Sequence, residues 1–414
     1  MKNIERFSLG MGDRFAHEGK AQLQALVLAR QSGVDLVPVW NKSNREHTII
    51  KSTPRSVRLE ADAAVAALGW KAPYHVDADH IGLAAVDGFI PACDFFTLDV
   101  ADFTGKPADK AAVDQFVRNL AKFRGKLAIP GIATPFEIND EVLRKTAEKF
   151  LLAVQETGKI FRHIRGKKGD DFITEVSVDE TDAPQTPVEL FLILAMLAHE
   201  QVPAQTIAPK FTGRFNKGVD YVGNIQQFEK EFDEDLAVVA FAIKEFGLPP
   251  TLKLSVHSGS DKFSLYPIIN RLVKKHGAGL HVKTAGTTWL EEVVGLAEAG
   301  GGGLAIAREI YAGAHARSAE LIAPYAPVVD IDVAKLPSPQ TVSGWTSAQF
   351  VAALRHDQSC KGYDRQFRQF IHVSFKVAAE LGSRYTDALD RYAEIIGRNV
   401  TANLLDRHII PLFK

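Results

Sequence analysis

Short apolar runs alternate with longer segments of helical periodicity from the N-terminus to about residue 310. The runs that predict β-strands are residues 7–11, 36–40, 74–78, 95–100, 172–178, 206–211, 252–257, 280–283 and 304–307. The segments that predict helices include residues 20–32, 111–123, 140–165, 187–199, 228–246 and 289–299. Because strands alternate with helices at this spacing, we predict an α/β protein with a TIM-type (β/α)8 barrel. Such a barrel has eight strands, so one of the nine candidates lies outside the ring or is wrong.

Two parts of the chain extend beyond a plain barrel. Residues 103–170 are longer than one crossover needs and contain two helical segments, which predicts an insertion beside the mouth. Residues 329–346 are rich in proline and serine, which indicates a connector. We therefore predict a catalytic barrel over residues 1–330 and a C-terminal helical extension over residues 331–414. This extension is expected to pack on the barrel or to form a contact between copies of the chain.

Two helix starts carry the capping-box pattern, in which Glu follows Thr by three residues. The pairs are Thr186 with Glu189 and Thr288 with Glu291, and Pro187 suits the first helical position. Each pair follows a loop with candidate site residues. The pattern therefore places those loops on the strand-to-helix side, where barrels keep their chemistry.

The composition is that of an ordinary soluble globular protein, with 46% apolar and 24% charged residues among 414. The 49 basic residues nearly balance the 50 acidic ones, so composition supports neither a nucleic-acid nor a membrane partner. The two cysteines, Cys93 and Cys360, predict neither disulfides nor a thiolate zinc site. The N-terminus lacks a signal-peptide core, and the apolar stretch at residues 190–198 is too short to span a bilayer. We expect a cytoplasmic protein.

Polar side chains occupy one face of two strands that are expected to be buried on both sides. Strict alternation puts Lys253, Ser255 and His257 on one face of their strand, and His281 and Lys283 on the inner face of the next. An unpaired buried charge is costly, so charged side chains on a buried face require a compensating partner. A metal ion with a bound polar substrate supplies one.

Three histidines form a candidate metal site. His80, His257 and His281 all stand at or near strand ends and offer imidazole ligands for Zn, Mn, Ni, Fe or Co, with open positions left for substrate oxygens. The alternative is that each histidine caps a loop or is a hydrogen-bonded residue. For a single histidine the loop-capping interpretation is favoured, and the shared inward placement of His257 and His281 on neighbouring late strands brings the metal interpretation to about equal weight.

Two carboxylates near these histidines are candidate acid/base groups. Asp79 adjoins His80, and Glu175 lies on the predicted inner face of its strand. Asp77 shares a face with Asp79, so spacing leaves open which of Asp77, Asp79 and His80 binds metal and which acts as the base. His75 belongs to the same cluster.

Three cations are candidate anchors for a carboxylate or phosphate on the substrate. Lys210 and Arg214 stand at the end of one strand, and Lys283 lies on another. Arg binds such groups through paired hydrogen bonds and Lys as a point charge. Arg14 is a weaker candidate of the same kind, and the alternative for Arg214 is a solvated loop.

Two glycine motifs do not support a nucleotide cofactor. Gly10 and Gly12 follow the first strand, but Phe15 stands where the dinucleotide fingerprint needs Gly or Ala. The four glycines at residues 300–303 precede a predicted strand, so a helix-ending turn explains them better than a phosphate loop. We therefore expect no NAD.

Five polar segments stand at predicted strand ends: Asp77-Ala78-Asp79-His80-Ile81-Gly82, Glu175-Val176-Ser177-Val178-Asp179-Glu180-Thr181, Lys210-Phe211-Thr212-Gly213-Arg214-Phe215, Ser255-Val256-His257-Ser258-Gly259-Ser260-Asp261-Lys262 and His281-Val282-Lys283-Thr284-Ala285-Gly286-Thr287-Thr288. Together they resemble the tagaturonate epimerase family, from the first strand to the C-terminal helices. The resemblance implies a metal-dependent bacterial barrel enzyme without nicotinamide that interconverts tagaturonate and fructuronate in hexuronate breakdown.

The chemistry implied by this resemblance has a constraint. The two sugar acids differ at a carbon β to the ketone, whose hydrogen enolisation does not make acidic. A retro-aldol route satisfies the constraint: Asp79 or Glu175 removes the hydroxyl proton, the neighbouring carbon–carbon bond opens, the aldehyde fragment rotates and the bond re-forms. The second carboxyl returns the proton, and the metal stabilises developing negative charge.

Three other functions fit parts of the pattern. A metal-dependent aldolase or lyase on a related sugar acid would use the same groups but release the fragments. A nicotinamide-linked hexuronate dehydrogenase is disfavoured by the broken glycine fingerprint. A non-catalytic sugar-binding protein would not need inward-facing His and Glu on separate strands.

Overall fold

Parallel strands close into a barrel in this computed structural model, which describes residues 2–179 and 181–414, with only the backbone of Thr284 and Ala285. Glu180, part of one polar segment, lies outside the described residues. The strands are β1 (Phe7–Gly12), β2 (Val37–Ser43), β3 (His75–Ile81), β4 (Phe95–Asp99), β5 (Gly125–Leu127), β6 (Phe136–Ile138), β7 (Ile173–Ser177), β8 (Thr206–Ala208), β9 (Lys253–Val256) and β10 (Leu280–Ala285). The closed ring runs β1-β10-β9-β8-β7-β4-β3-β2. The predicted TIM-type barrel is therefore confirmed.

Helices fill most of the remaining chain. They are α1 (Gly19–Gln31), α2 (Asn44–Ile50), α3 (Pro54–Leu68), α4 (Lys110–Asn119), α5 (Asp140–Lys168), α6 (Pro187–His199), α7 (Ile225–Phe246), α8 (Tyr266–His276), α9 (Thr288–Ala299), α10 (Gly301–His315), α11 (Ser318–Ile322), α12 (Pro339–Ser343), α13 (Ser347–Leu354), α14 (Arg365–Val373), α15 (Phe375–Glu380), α16 (Ser383–Arg391), α17 (Ala393–Ala402) and α18 (Ile410–Phe413). A π-helical turn, Asn403–Ile409, precedes the last of them. None of the described helices combines the length and apolar character that a membrane span requires.

The ninth predicted strand, residues 304–307, is wrong, because this run lies inside α10. Leu304, Ala307, Ile310 and Ala314 are buried at a spacing of three to four residues, which is the stripe of a helix. A run of only four apolar residues is too short to distinguish the alternation of a strand from the periodicity of a helix. Of the four preceding glycines, Gly300 ends α9 as predicted, with φ 68°, whereas the other three begin α10.

The two predicted capping boxes differ in outcome. Thr186 accepts a hydrogen bond from the backbone of Glu189, whose side chain bonds back to it, so the first box is confirmed. The second prediction is wrong, because α9 has Thr287 at its N-cap with φ 41° and no side-chain cap. Thr288 is instead the first helical residue, where its hydroxyl accepts a hydrogen bond from Gln22.

Inward-facing side chains change character along the barrel axis. Near the amino ends of the strands, Ile4, Val39, Phe95 and Ile173 form a small apolar cluster separate from the main core. The main core lies between the barrel and the surrounding helices. Towards the carboxyl ends the inward side chains are polar, and these form the site: Asp77, Thr97, Glu175, Thr206, His257 and Lys283.

The segment at residues 103–170 contains the two predicted helices, α4 and α5, and an antiparallel pair of short strands. The pair, β5 with β6, was not predicted, because strands of three residues carry too little alternation to read. The position of this insertion beside the mouth and the boundary at residue 330 stay predictions.

The C-terminal helices contact the helical layer of the barrel. Helix α17 packs on α9 and α1, and α13 packs on α9. Close approach of α17 and α9 depends on Gly295, because an added Cβ would lie 2.8 Å from the Cα of Ile396. A contact between copies of the chain stays a prediction.

The substitution Gly295→Ala should lower the free energy of unfolding by about 1–3 kcal/mol, since the new methyl group forces α9 and α17 apart. The matched control is Gly166→Ala in α5, where an added Cβ meets no atom within 4 Å. This control should raise the free energy by about 0.5–1 kcal/mol, because alanine is the better helix former. Urea unfolding measures both, and equal effects would contradict the packing argument.

Candidate metal centre and active site

A cavity of about 740 Å³ opens at the carboxyl ends of the barrel strands. Its lining includes Asp79 and His80 from β3, Asp99 from β4, and Asp179 and His257 from the segments just after β7 and β9. A pocket at this end of the barrel is where barrel enzymes bind their substrates. Strand ends that are distant in the sequence therefore converge on one space.

Three of the lining residues form a group that can hold a metal ion. His80, Asp179 and His257 each offer one ligand atom, and these atoms lie within 4.8 Å of one another. His257 Nδ1 is 3.2 Å from Asp179 Oδ2, and the two imidazole rings are 5.0 Å apart between centroids. Two imidazoles and a carboxylate are a common donor set for zinc and similar divalent metals.

Both histidines are held by a carboxylate at one ring nitrogen. His257 Nε2 donates to Glu175 Oε1 at 2.8 Å, and His80 Nδ1 donates to Asp99 Oδ2 at 3.2 Å. This leaves the other nitrogen of each ring for a ligand. Such carboxylate–histidine pairs orient the imidazole and raise its basicity in metal sites.

His80 reaches the cavity because the backbone departs from regular strand geometry. Alternation from Asp77 and Asp79 would turn residue 80 away from the barrel interior. The pairing of β3 with β4 shifts register between Ala78 and Ile81, and His80 has φ 49°. This left-handed conformation is uncommon for a residue other than glycine, and here it lets Asp79 and His80 both line the cavity.

Carboxylates around this group favour positive charge. Burial by itself would lower the pKa of His80, but the negative charge of Asp79 and the hydrogen bond to Asp99 raise it to about 10. Burial would likewise lower the pKa of His257, which Asp179 and Glu175 raise. The site thus attracts a cation, which protons or a metal ion can supply.

Below the cavity, the Lys283 ammonium group is surrounded by carboxylates. Its Nζ lies 2.8 Å from Asp77, 2.9 Å from Asp79 and 3.1 Å from Glu175, and it donates to the Thr97 hydroxyl. The side chain is buried. Burial would lower the pKa of Lys283, but these carboxylates hold it well above its ordinary value. Because its donors are already engaged, the predicted role of Lys283 in substrate binding stays a prediction.

The two predicted acid/base carboxylates have different surroundings. Asp79 lines the cavity, whereas Glu175 is fully buried beneath it and accepts hydrogen bonds from Thr97, Thr206 and His257. Burial would raise the pKa of both groups, but Lys283 lowers that of Asp79 to about 2 and that of Glu175 well below its ordinary value. Both are therefore charged at neutral pH.

His281 lies deeper in the barrel than the other two predicted ligands. It pairs in register with Ser8, its Nδ1 is 2.9 Å from the Ser8 hydroxyl, and its ring packs against Phe95. Burial lowers the pKa of His281 to about 3, so the ring is neutral. The group within 4.8 Å does not include it. Its assignment as a ligand stays a prediction.

The predicted anchors Lys210 and Arg214 both line the cavity. Lys210 donates through its ammonium to the backbone carbonyl of Thr181. Arg214 has a half-exposed side chain whose guanidinium is 3.9 Å from Asp330. Their roles stay predictions.

Asp179 was missed as a candidate ligand, although a signal was present. The alternation that put Glu175 on the inner face continues through Ser177 to Asp179. Asp99 stands in the same relation to Phe95 and Thr97 on the neighbouring strand. Extending the period of two past the end of each apolar run would have identified both.

The substitution Lys283→Met should lower the free energy of unfolding by about 3–5 kcal/mol at neutral pH, because three carboxylates then lie buried without a cation. The matched control is Lys253→Met, another buried lysine of the barrel interior. Among the described residues its ammonium donates to the backbone carbonyls of Glu5 and Arg6 and to no carboxylate, so we expect a loss of about 1 kcal/mol. Similar losses in urea unfolding of the two variants would argue against the central role of Lys283.

Comparisons with known proteins identify the family of this chain. The family model described as tagaturonate epimerase matches residues 1–385. The tagaturonate/fructuronate epimerase of Thermotoga maritima is 32% identical over 303 residues, which are 70% of this chain. The match spans only 59% of that relative's length.

Solved structures of a fructuronate-tagaturonate epimerase from Cohnella laeviribosi share the fold. Its native structure superposes with a TM-score of 0.80 at 23% identity, and covers 100% of this chain and 82% of its own. Its complex with one glycerol gives a TM-score of 0.80 at 24% identity, with 99% and 82% covered. From the family match over nearly its whole length, this chain belongs to the tagaturonate epimerase family.

Proposed function

We propose that this protein interconverts D-tagaturonate and D-fructuronate with the help of a divalent metal ion held by His80, Asp179 and His257. The observation that carries the proposal is the position of this group beside Asp79 in one cavity at the barrel mouth. Membership of the tagaturonate epimerase family and the name of the Thermotoga relative support the choice of substrate. The reaction belongs to hexuronate breakdown.

The three residues fit a metal ion in two respects. His257 Nδ1 is buried, and its 3.2 Å contact with Asp179 Oδ2 lacks hydrogen-bond geometry, so a metal ion held between these two atoms would satisfy both. The remaining nitrogen of each ring is engaged by Glu175 or Asp99, which fixes the direction in which the rings point. When bound, the metal supplies a Lewis acid for negative charge that develops on sugar oxygens.

Asp79 is the residue best placed to start the reaction. It lines the cavity as a carboxylate, so it can accept the proton of the hydroxyl on the carbon to be inverted. The oxygen lone pair forms an aldehyde, and the neighbouring carbon–carbon bond breaks towards the ketone, which becomes an enediolate. Rotation of the aldehyde and reversal of these steps give the epimer. No hydride leaves the substrate, so this route needs no redox cofactor.

Glu175 and Lys283 connect to Asp79 beneath the cavity. The ammonium of Lys283 lies 2.9 Å from Asp79 and 3.1 Å from Glu175, so it stabilises the charge of both carboxylates. We assign Glu175 as the second acid/base group, joined to the cavity through Lys283 and His257. The hydrogen bond between Glu175 and His257 also positions the imidazole of His257.

Metal-loaded protein incubated with fructuronate should produce tagaturonate, followed by NMR, and a chelated sample should not. Each of the five divalent metals named from the donor types is tested separately, because imidazole sites accept several ions. Release of smaller fragments would instead identify a metal-dependent aldolase on a related sugar acid. Absence of turnover with every metal would overturn the proposed function.

Asp179→Asn should weaken metal binding by at least about 100-fold in calorimetric titration of the metal-free protein, since it removes a charged ligand. The same titration with His281→Asn tests the third imidazole predicted from the sequence. Binding that is unchanged in this variant would limit the ligand set to the group at the mouth. Unchanged binding in Asp179→Asn would remove Asp179 from it.

A further inference from the structure

A second set of polar side chains lines the same cavity and is separate from the group formed by His80, Asp179 and His257. Arg14, Asn216, Lys217 and His372 all contribute to the lining. Arg14, Asn216 and His372 are only 8%, 2% and 4% exposed. Each has a buried nitrogen without a hydrogen-bond partner among the described residues: Arg14 Nε, Asn216 Nδ2 and His372 Nδ1.

Lys217 adds an ammonium group that makes no ion pair within residues 2–179 and 181–414. Burial lowers the pKa of Lys217; the charge of Glu46 opposes this effect, and the guanidinium groups of Arg45 and Arg14 add to it. Arg14 pairs with Glu46 at 3.3 Å, but no carboxylate among the described residues forms an ion pair with Lys217, so positive charges are crowded here. An incoming anion would relieve that repulsion.

The loop at residues 216–219 is built to leave these side chains free. Its backbone carbonyls accept hydrogen bonds from neighbouring side chains. The Lys262 ammonium donates to the carbonyls of Asn216 at 2.9 Å and Val219 at 2.7 Å. Gln369 donates to the carbonyl of Lys217 at 3.4 Å. Arg368 donates to the carbonyl of Gly218 at 2.5 Å. The loop is thus held in place through its backbone, while the donors of its first two side chains remain available.

Gly218 lets the loop approach helix α14 closely. It has φ 73°, and an added Cβ would lie 3.3 Å from the ring of His372. The ring therefore packs directly against the loop beside Lys217. This contact brings a residue of the C-terminal helices into the cavity wall.

We propose that Asn216 and Lys217, with Arg14 and His372, bind the carboxylate of the sugar acid. A buried donor that stays unpaired is destabilising, so several of them at one wall indicate an acceptor that arrives with the substrate. The inference rests on the proposed function, because it assigns the carboxylate of that substrate. Of its cations, Arg14 was a weaker candidate in the sequence analysis, whereas Lys217 was not predicted there and takes the role expected of Lys210, Arg214 and Lys283.

The assignment has a consequence for the reaction. In the retro-aldol route the carboxylate belongs to the aldehyde fragment. The aldehyde group of this fragment must rotate while the fragment stays in the site. An anchor at the carboxylate holds this fragment while its aldehyde carbon rotates. Lys217 thereby favours epimerisation over release of the fragments, which separates an epimerase from an aldolase.

The test compares Lys217→Met with wild type in two assays of the metal-loaded protein. The first is kcat/KM with fructuronate, which should fall about 10- to 100-fold through loss of a charge-assisted hydrogen bond. The second is calorimetric binding of gluconate, an open-chain sugar acid without the ketone, whose affinity should fall by a similar factor. Lys217→Arg should keep most of the kcat/KM and most of the gluconate affinity, because it retains a cationic donor.

Thermal unfolding separates this role from a structural one. Lys217→Met removes a partly buried charge that has no ion-pair partner among the described residues, so its Tm should equal or exceed that of wild type while binding is lost. Lys110→Met, at an 89% exposed position, controls for the change of net charge and should leave gluconate binding unchanged.

Several results would overturn the inference. The first is that wild type does not bind gluconate. The second is that wild type and Lys217→Met bind gluconate equally well. The third is that Lys210→Met, and not Lys217→Met, abolishes gluconate binding. If wild type fails to convert fructuronate but gluconate binding depends on Lys217, the proposed function fails and the carboxylate site stands. If wild type converts fructuronate and Lys217→Met converts it equally well, the carboxylate site alone fails.

Discussion

The interior of the barrel depends on one buried cation, the ammonium group of Lys283. Asp77, Asp79 and Glu175 come from two strands and all lie within about 3 Å of it. Three carboxylates at this depth would repel one another and lose their hydration, so without a cation the polar face of the barrel would be too costly to bury. The fold tolerates this polar interior because each charge has partners, including the Thr97 hydroxyl.

The same ion links the barrel interior to the cavity above it. Glu175 bonds both Lys283 and His257, so the position of one metal-type imidazole depends on the charge balance below. Asp79 contacts Lys283 and also lines the cavity, which makes it both a member of the buried network and a group that substrate can reach. The groups proposed for catalysis and for metal binding thus form one connected unit, as preorganised sites require.

The C-terminal helices take part in the site as well as covering the barrel. Arg368 on α14 bonds the buried carboxylate of Asp261, which follows β9, and also the loop next to Lys217. His356 and His408 approach the same carboxylate. Burial would raise the pKa of Asp261, but Arg368 and these imidazoles hold it well below its ordinary value. One ion-paired cluster therefore ties the segment after His257 to the cavity wall that contains His372.

The sequence by itself predicted all eight barrel strands together with one false candidate, and it determined which faces of β7, β9 and β10 point inward, because alternation has a period of two in any strand. It thereby identified Glu175, His257 and Lys283 as interior groups. It did not determine their heights along the barrel axis, which depend on strand stagger and tilt. Stagger placed His281 in a deeper layer, beside Ser8. A break in regular β3 geometry turned His80 inward, and convergence of separate loops added Asp179. These are long-range outcomes of barrel closure, so only the tertiary structure decided them.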